Sequence, residues 1–309
     1  MLGTHIIKSM AFSVPIWKIY GFPKVSLYLE RFVLKHAKAL IHRHFTQFDQ
    51  TTNTMELKCL WCLEEEPKVT FNKKAHTIPK SLGGQNYNKN VCDSCNEYFG
   101  NRNSNNGKYS IEEALKEAFN ISRKRMLTSG KTKRKVGDFK SKFFEIKQRS
   151  GKYRLTIKPS FRFTIGFQKE LCRAFKRGLY KMFLEELNRQ KDVGYESKFN
   201  VIRQYARFDE GELPVLYFNR VIGIMVMFNR EAETPILYFD RMNYLHSNQK
   251  FTEIEFLGHV FGFPISKFNE TDFKSYIGES IKQKEGYFKD AVIINKMTDV
   301  DITLKIMND

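Results

Sequence analysis

Two Cys-x-x-Cys pairs in one short stretch constrain this chain more than any other feature of it. Cys59/Cys62 and Cys92/Cys95 bracket the segment Lys58 to Gly100, which also carries His76, Pro79, Gly83, Gly84 and Asn90, with Asn96 directly after the fourth cysteine. Each pair is a knuckle that offers two thiolates to one ion, and four soft, anionic sulfurs suit a closed tetrahedral zinc site. Four thiolates leave no open position for water, so the expected zinc is structural. So short a piece buries little core of its own, and a metal can tie it together. The spacing specifies a metal but not a function, since many zinc ribbons share it. Cys172, the fifth cysteine, lies on a helical apolar face and reads as a small buried hydrophobe. A metal-based rather than disulfide-based framework fits a reducing cytoplasm, the expected location.

The 309 residues suffice for two domains or one large one. Lys and Arg number 52 against 34 Asp and Glu, a formal net charge of +18. That excess predicts an anionic partner, nucleic acid first and an acidic membrane surface second, although a merely soluble basic protein would show it too. No run of about 18 apolar residues occurs, so no transmembrane helix is expected. Lys8 and Lys18 break the apolar N-terminal stretch and no small-residue cleavage site follows, so it does not read as a signal peptide.

The segment from Cys59 to Gly100 resembles the zinc-containing branch of the HNH, or ββα-metal, nucleases. The resemblance is carried by the knuckle Cys59-Leu-Trp-Cys62, by Ala75-His76-Thr-Ile-Pro79-Lys-Ser-Leu-Gly83-Gly84, by Asn90-Val-Cys92-Asp-Ser-Cys95-Asn96, and by Phe99-Gly100. It implies a metal-dependent endonuclease that hydrolyses phosphodiester bonds in DNA, cutting or nicking it, with His76 as general base. A neutral imidazole with an unperturbed pKa near 6.5 can accept a proton at neutral pH. The resemblance further implies that Asn96 binds Mg2+ or Mn2+ through its side-chain oxygen, and that Asn90 ties the loop together and aims the histidine. Lys80 and Arg102 are the cations nearest in sequence that could meet the scissile phosphate. Many relatives carry Asp or His just before the base, as a metal ligand, where this chain has Ala75. Either Asp93 or Glu97 compensates, or Asn96, phosphate and waters hold the ion alone, or the enzyme is slow. Family members of this kind occur in bacterial or phage restriction, antiviral defence and mobile elements. A zinc-ribbon nucleic-acid-binding protein without catalysis, and an RNA-directed nuclease, are the alternative readings.

The fold class expected is α+β: a zinc-stapled ββα module, then a larger α+β domain with a mostly antiparallel sheet. The domains expected are an arm with an amphipathic helix over 1–56, the nuclease module over 57–108, and a basic domain over 109–309 that positions substrate. A helix is predicted over 25–48, where His36, His42 and His44 read as surface or half-buried residues. Within the module, Val69–Phe71 and Ala75–Ile78 read as extended segments around a turn at Asn72. Asp93 or Ser94 reads as the cap of a short helix ending at Gly100. Ser110-Ile-Glu-Glu113 is a capping box that opens a helix to about Thr128. That helix runs into Arg123, Lys124 and Arg125, followed by Lys131, Lys133, Arg134 and Lys135, either a phosphate-contact patch or a solvated basic loop.

Strands are predicted over 139–147 and 152–165, and a helix over 167–190. Leu171, Phe175, Leu179, Met182 and Phe183 fall on one side of that helix, and Lys169, Arg173, Lys176, Arg177 and Lys181 on the other. Five cations on that side, with Glu170 the one acid among them before Glu185, favour a phosphate-facing side over plain solvation. From residue 199 on, β signals dominate: Asn200–Phe208, Val215–Phe218, Val221–Phe228, Ile236–Phe239 and Phe251–Phe261. A last helix over 272–284 and short strands over 291–295 and 302–306 close the reading, with His246 and His259 taken as structural.

Overall fold

The computed structural model describes residues 57–101, 109–127, 141–149, 152–220, 235–239 and 242–302. The chain divides into two compact units, Met1–Met55 and Glu56–Asp309, and all the described residues belong to the second. The helix expected over 25–48, the strand expected over 221–228 and the segment 303–306 lie outside them.

The unit is α+β. A two-stranded antiparallel ribbon, β1 (Ala75–His76) and β2 (Tyr87–Asn88), precedes helix α1 (Asp93–Gly100). Helix α2 (Ile111–Leu127) leads to the hairpin β3 (Phe144–Arg149) and β4 (Lys152–Ile157). Helices α3 (Ile165–Lys191) and α4 (Asn200–Ala206) follow, then β5 (Leu216–Arg220), β6 (Leu237–Tyr238), β7 (Phe251–Phe256) and β8 (His259–Pro264). Helix α5 (Glu270–Gln283) and β9 (Phe288–Ile293) complete the order. The larger sheet runs β6-β7-β8-β5-β9, every pairing antiparallel.

Sheet faces alternate as the two-residue period requires. Ile254, Phe256, Phe261 and Phe263 face one apolar core, while Leu216, Phe218, Phe251 and Val260 face a second with Tyr276 of α5. Gly262 is where α5 presses closest: a Cβ there would lie 1.9 Å from the Tyr276 hydroxyl. Helix α5 starts at Asn269, whose side chain accepts from the Asp272 amide while the Asp272 carboxylate accepts from the Asn269 amide, a reciprocal cap. The capping expected at Ser110 is also found, its hydroxyl accepting from the Glu113 amide at 3.1 Å.

Helix α3 is the axle of the unit. Phe175 packs on Phe261, Tyr180 and Phe183 on Phe263, and Phe175 on Phe119 of α2. Gly178 admits the Leu115 side chain of α2 where any Cβ would collide with it. A helix buried almost all round is normally apolar all round. Here most of the charged side is buried as well, with Lys176, Arg177 and Lys181 inside, Arg173 half-buried and Lys169 exposed, which corrects the expectation that it faces phosphate. Lys181 has no exposed side-chain surface and pairs with Glu112 at 3.1 Å and Glu185 at 3.2 Å. Arg177 donates to the Ala206 carbonyl and the Tyr98 hydroxyl and pairs with Asp209 at 3.2 Å. Arg173 pairs with Asp209 and Glu212, and Lys176 with Glu212 at 3.4 Å. Burying Lys176, Arg177 and Lys181 is tolerable because each finds a carboxylate.

Two local expectations also change. Residues 200–206 form a helix rather than a strand, because Ile202, Tyr205 and Ala206 bury at helical spacing and leave Arg203 to donate to the Leu60 carbonyl at 2.8 Å. Residues 69–71 form no strand. The Asp93 carboxylate instead accepts from the Thr70 hydroxyl, the Asn72 amide and the Lys73 amide, bonds that offer the backbone an alternative to a ladder. Thus β1 pairs with β2, not with the segment before Asn72.

Candidate active site and metal centre

The four cysteines converge. The sulfurs of Cys59, Cys62, Cys92 and Cys95 all lie within 4.8 Å of one another, the one such group of His, Cys, Asp or Glu among the described residues. The first knuckle is tied to the second, since the Leu60 amide donates to the Asn90 carbonyl at 2.7 Å and the Cys92 amide to Cys59 Sγ at 3.4 Å. Mutual hydrogen bonding splits the four thiols: Cys59 and Cys95 are pushed up, Cys92 far down and Cys62 to about 7. Four sulfurs so close cannot all ionise unaided, and a divalent ion among them removes that conflict. Cations from α4 and its end support the cluster, with Arg203 on Leu60 and the Arg207 guanidinium 3.2 Å from Cys95 Sγ.

Trp61 turns inward. It packs on Phe99 with ring centroids 4.8 Å apart, and its indole N–H donates to Glu185 at 2.9 Å. Asn88 donates to the Glu185 carbonyl at 2.8 Å and accepts from the Asn90 amide at 2.8 Å, while Thr77 donates to Glu186 at 2.8 Å. The knuckle and the ribbon therefore dock on α3 through buried polar contacts as well as through the shared apolar core. Burial pushes the Glu185 carboxyl up to about 7, against Lys181 and the Trp61 N–H, which pull it down. Burial alone would lower the Lys181 ammonium, but Glu185 and Glu112 outweigh it and hold the group above its ordinary value.

On the other side of the ribbon an open cleft of about 320 Å³ is lined by Lys73, Lys74, His76, Lys80, Asn96, Glu97, Gly100, Asn101 and Glu112. His76 comes from β1, Asn96 and Glu97 from α1, and Glu112 from the first turn of α2. The Lys181 ammonium donates to the His76 carbonyl at 2.6 Å and so pins the strand that carries the imidazole. Partial burial holds the His76 imidazole below its ordinary value, and Lys181 and Lys80 push the same way. His76 is thus neutral at pH 7. Gly84 closes the loop behind it, where a Cβ would sit 2.0 Å from the Ile78 carbonyl oxygen.

The sequence-predicted site residues divide sharply. His76, Asn96 and Lys80 share the cleft. Asn90 does not line it, and its backbone instead joins Leu60 and Asn88. Asp93 is turned to the Thr70–Lys73 loop, where four donors hold its carboxyl low despite the opposing effect of burial. Glu97 lines the cleft and pairs with Lys73 at 3.4 Å. Arg123 is buried with its Nε on the Leu82 carbonyl at 3.1 Å, so it braces the Gly83–Gly84 loop instead of facing phosphate. Arg102, Lys133, Arg134 and Lys135 lie outside the described residues, as do the side chains of Lys124 and Arg125. Glu112 was not foreseen as a site residue. Its signal was hidden because the Ser-x-x-Glu pattern accounts for Glu113 and leaves the neighbouring acid without a role.

The HNH endonuclease family model matches residues 59–106, the stretch that holds the four-cysteine cluster. No curated protein and no solved structure matches the chain. Glu112, Lys181 and Glu185, which surround or brace the cleft, lie beyond the matched stretch. No helix among the described residues is long and apolar enough to cross a membrane.

Proposed function

We propose that the chain is an endonuclease that hydrolyses DNA phosphodiester bonds at the His76 cleft, with zinc held structurally by Cys59, Cys62, Cys92 and Cys95. One observation carries the reading: a neutral imidazole and the Asn96 carboxamide share an open cleft edged by lysines. Hydrolysis needs an activated water, neutralisation of phosphate charge and help for the leaving oxygen. His76 accepts the proton of the attacking water. Lys73, Lys74 and Lys80 draw the phosphate into the cleft. Lys181 keeps the base in place through the His76 carbonyl.

The cleft fits a hard divalent ion such as Mg2+ or Mn2+, because its donors are the Asn96 amide oxygen and the carboxylates of Glu97 and Glu112. These do not form a tight preassembled cage, which suits an ion that keeps several waters and takes ligands from a phosphate. When bound, the ion would polarise the phosphate and stabilise the leaving oxygen. Ala75 is buried and has no donor. Glu112 is the better substitute, since one of its oxygens takes Lys181 and the other is turned toward Gly100, one turn beyond Asn96. Glu112→Gln is expected to weaken Mn2+ binding to the zinc-loaded protein by roughly tenfold or more, by calorimetry without DNA.

Incubating the purified protein with supercoiled plasmid and Mg2+ or Mn2+ tests the activity, with relaxed or linear product expected and 5′-phosphate ends on mapping. No product under any metal would sink the proposal and favour a DNA-binding ribbon without catalysis. The pH profile is a second check. A base must be deprotonated to act, so kcat/KM should rise through the His76 pKa and be flat above it, with the midpoint below 6.5. A midpoint above 7 would assign the titration to another group.

A further inference from the structure

The register of the β3–β4 hairpin sets like charges face to face. Lys147 lies directly opposite Arg154, and Arg149 opposite Lys152. Strand alternation puts all four positions on one face of the ribbon, together with Glu145 and Thr156. The other face carries Phe144, Ile146, Leu155 and Ile157, and Phe144 is buried against Phe161. Lys147 and Arg154 are exposed, and the one acid on their face, Glu145, is 3.4 Å from Lys147 across an exposed pair that contributes little. Like charges directly opposite destabilise a hairpin, so this face is built against its own stability unless an anion meets it.

We propose that this face is an arm that binds duplex DNA by lying in its major groove. Six residues per strand at about 3.3 Å each give a ribbon of roughly 20 Å. A two-stranded ribbon fits the major groove of B-form DNA, about 12 Å wide, whereas the deep, narrow major groove of A-form RNA excludes it. Opposed cations on the two strands reach the two phosphate walls of that groove. The arm is rooted beside the cleft, since Lys142 ahead of β3 is ion-paired to Glu113, the neighbour of Glu112. The partner is the same as in the nuclease reading, but the arm binds whether or not the cleft cuts.

The test reads binding by fluorescence anisotropy of a labelled DNA duplex against salt, using the full chain without added divalent metal. Lys147→Gln combined with Arg154→Gln is expected to lower the slope of log affinity on log salt by about 1.8, two released counterions, and affinity roughly tenfold to a hundredfold. Each single variant should show about half the slope change. The thermal midpoint should hold or rise, because the substitutions relieve a repulsion. Lys267→Gln combined with Lys282→Gln, equal in charge and outside the hairpin, should leave the slope unchanged. An unchanged slope in the hairpin variant, an equal loss in the control, tighter binding to duplex RNA than to DNA, or no duplex binding by the parent chain would each overturn the arm. Loss of plasmid cleavage with intact salt-dependent binding would instead fault only the cleft.

Discussion

Replacing His76 with alanine should reduce plasmid cleavage by roughly 10²–10⁴-fold while leaving zinc content and DNA affinity at parental values. The reasoning is local. The imidazole is half-buried at the cleft edge, its pKa held below the ordinary value by burial, and the one hydrogen bond recorded for its ring is a local one to the Lys74 backbone two residues away. What holds β1 is the His76 carbonyl on Lys181, and a side-chain change leaves that bond in place. Cleavage should therefore fall at kcat rather than KM, since a base acts in the transition state and the lysines carry ground-state affinity. Zinc by mass spectrometry, one ion per chain, and anisotropy on uncut duplex separate this outcome from misfolding. A variant that still cuts at the parental rate would remove His76 from the chemistry.

The second large effect concerns stability. Lys181→Met should destabilise the fold, with a part that grows by up to ~1.4 kcal/mol between pH 5 and pH 8, because the fully buried Glu185 must then keep a proton rather than ionise against its cation. The pH dependence has a definite sign. The Glu185 carboxyl already stands at about 7, and removal of the ammonium raises it further. A folded-state pKa above the unfolded one means stability that is complete at acid pH and lost as pH rises through the folded value. The deficit of the variant should thus be smaller near pH 5 and grow by ~1.4 kcal/mol per pH unit above about pH 7, until its own carboxyl ionises. Urea unfolding followed at Trp61, whose indole touches Glu185, would show it. An equal deficit at both pH values would mean that packing, not charge, is what Lys181 supplies. Because Lys181 also holds the His76 carbonyl, the same variant should misplace the base.

What could be read from the chain follows from where the interacting partners lie along it. The cysteine cluster was legible because each knuckle is local and the two lie only a loop apart. The meeting of His76 with Asn96 was legible from the motif that carries both. The basic side of α3 misled, because the carboxylates that neutralise Lys181, Arg177 and Arg173 are mostly remote: Glu112, Asp209 and Glu212. A run of cations with a single acid, Glu170, among them looks solvated or phosphate-bound until the tertiary fold supplies its other acids. The helix at 200–206 misled for a different reason. Ile202, Tyr205 and Ala206 fit a helical period, yet the valine, isoleucine and tyrosine also read as strand formers, and packing decided between them. Glu112 was invisible as a site residue because nothing in its neighbourhood distinguishes an acid that lines a cleft from one that merely opens a helix.

Trp61, Thr77 and Asn88 all terminate on two adjacent glutamates of α3, about a hundred residues downstream. Residues 57–101 are consequently not a cassette. A copy spliced into a foreign chain would bring its sulfurs and its imidazole, but an indole and a carboxamide would be stranded without acceptors. Descent by shuffling must have moved this segment and its axle together, or obliged the host to evolve a replacement pair of acids.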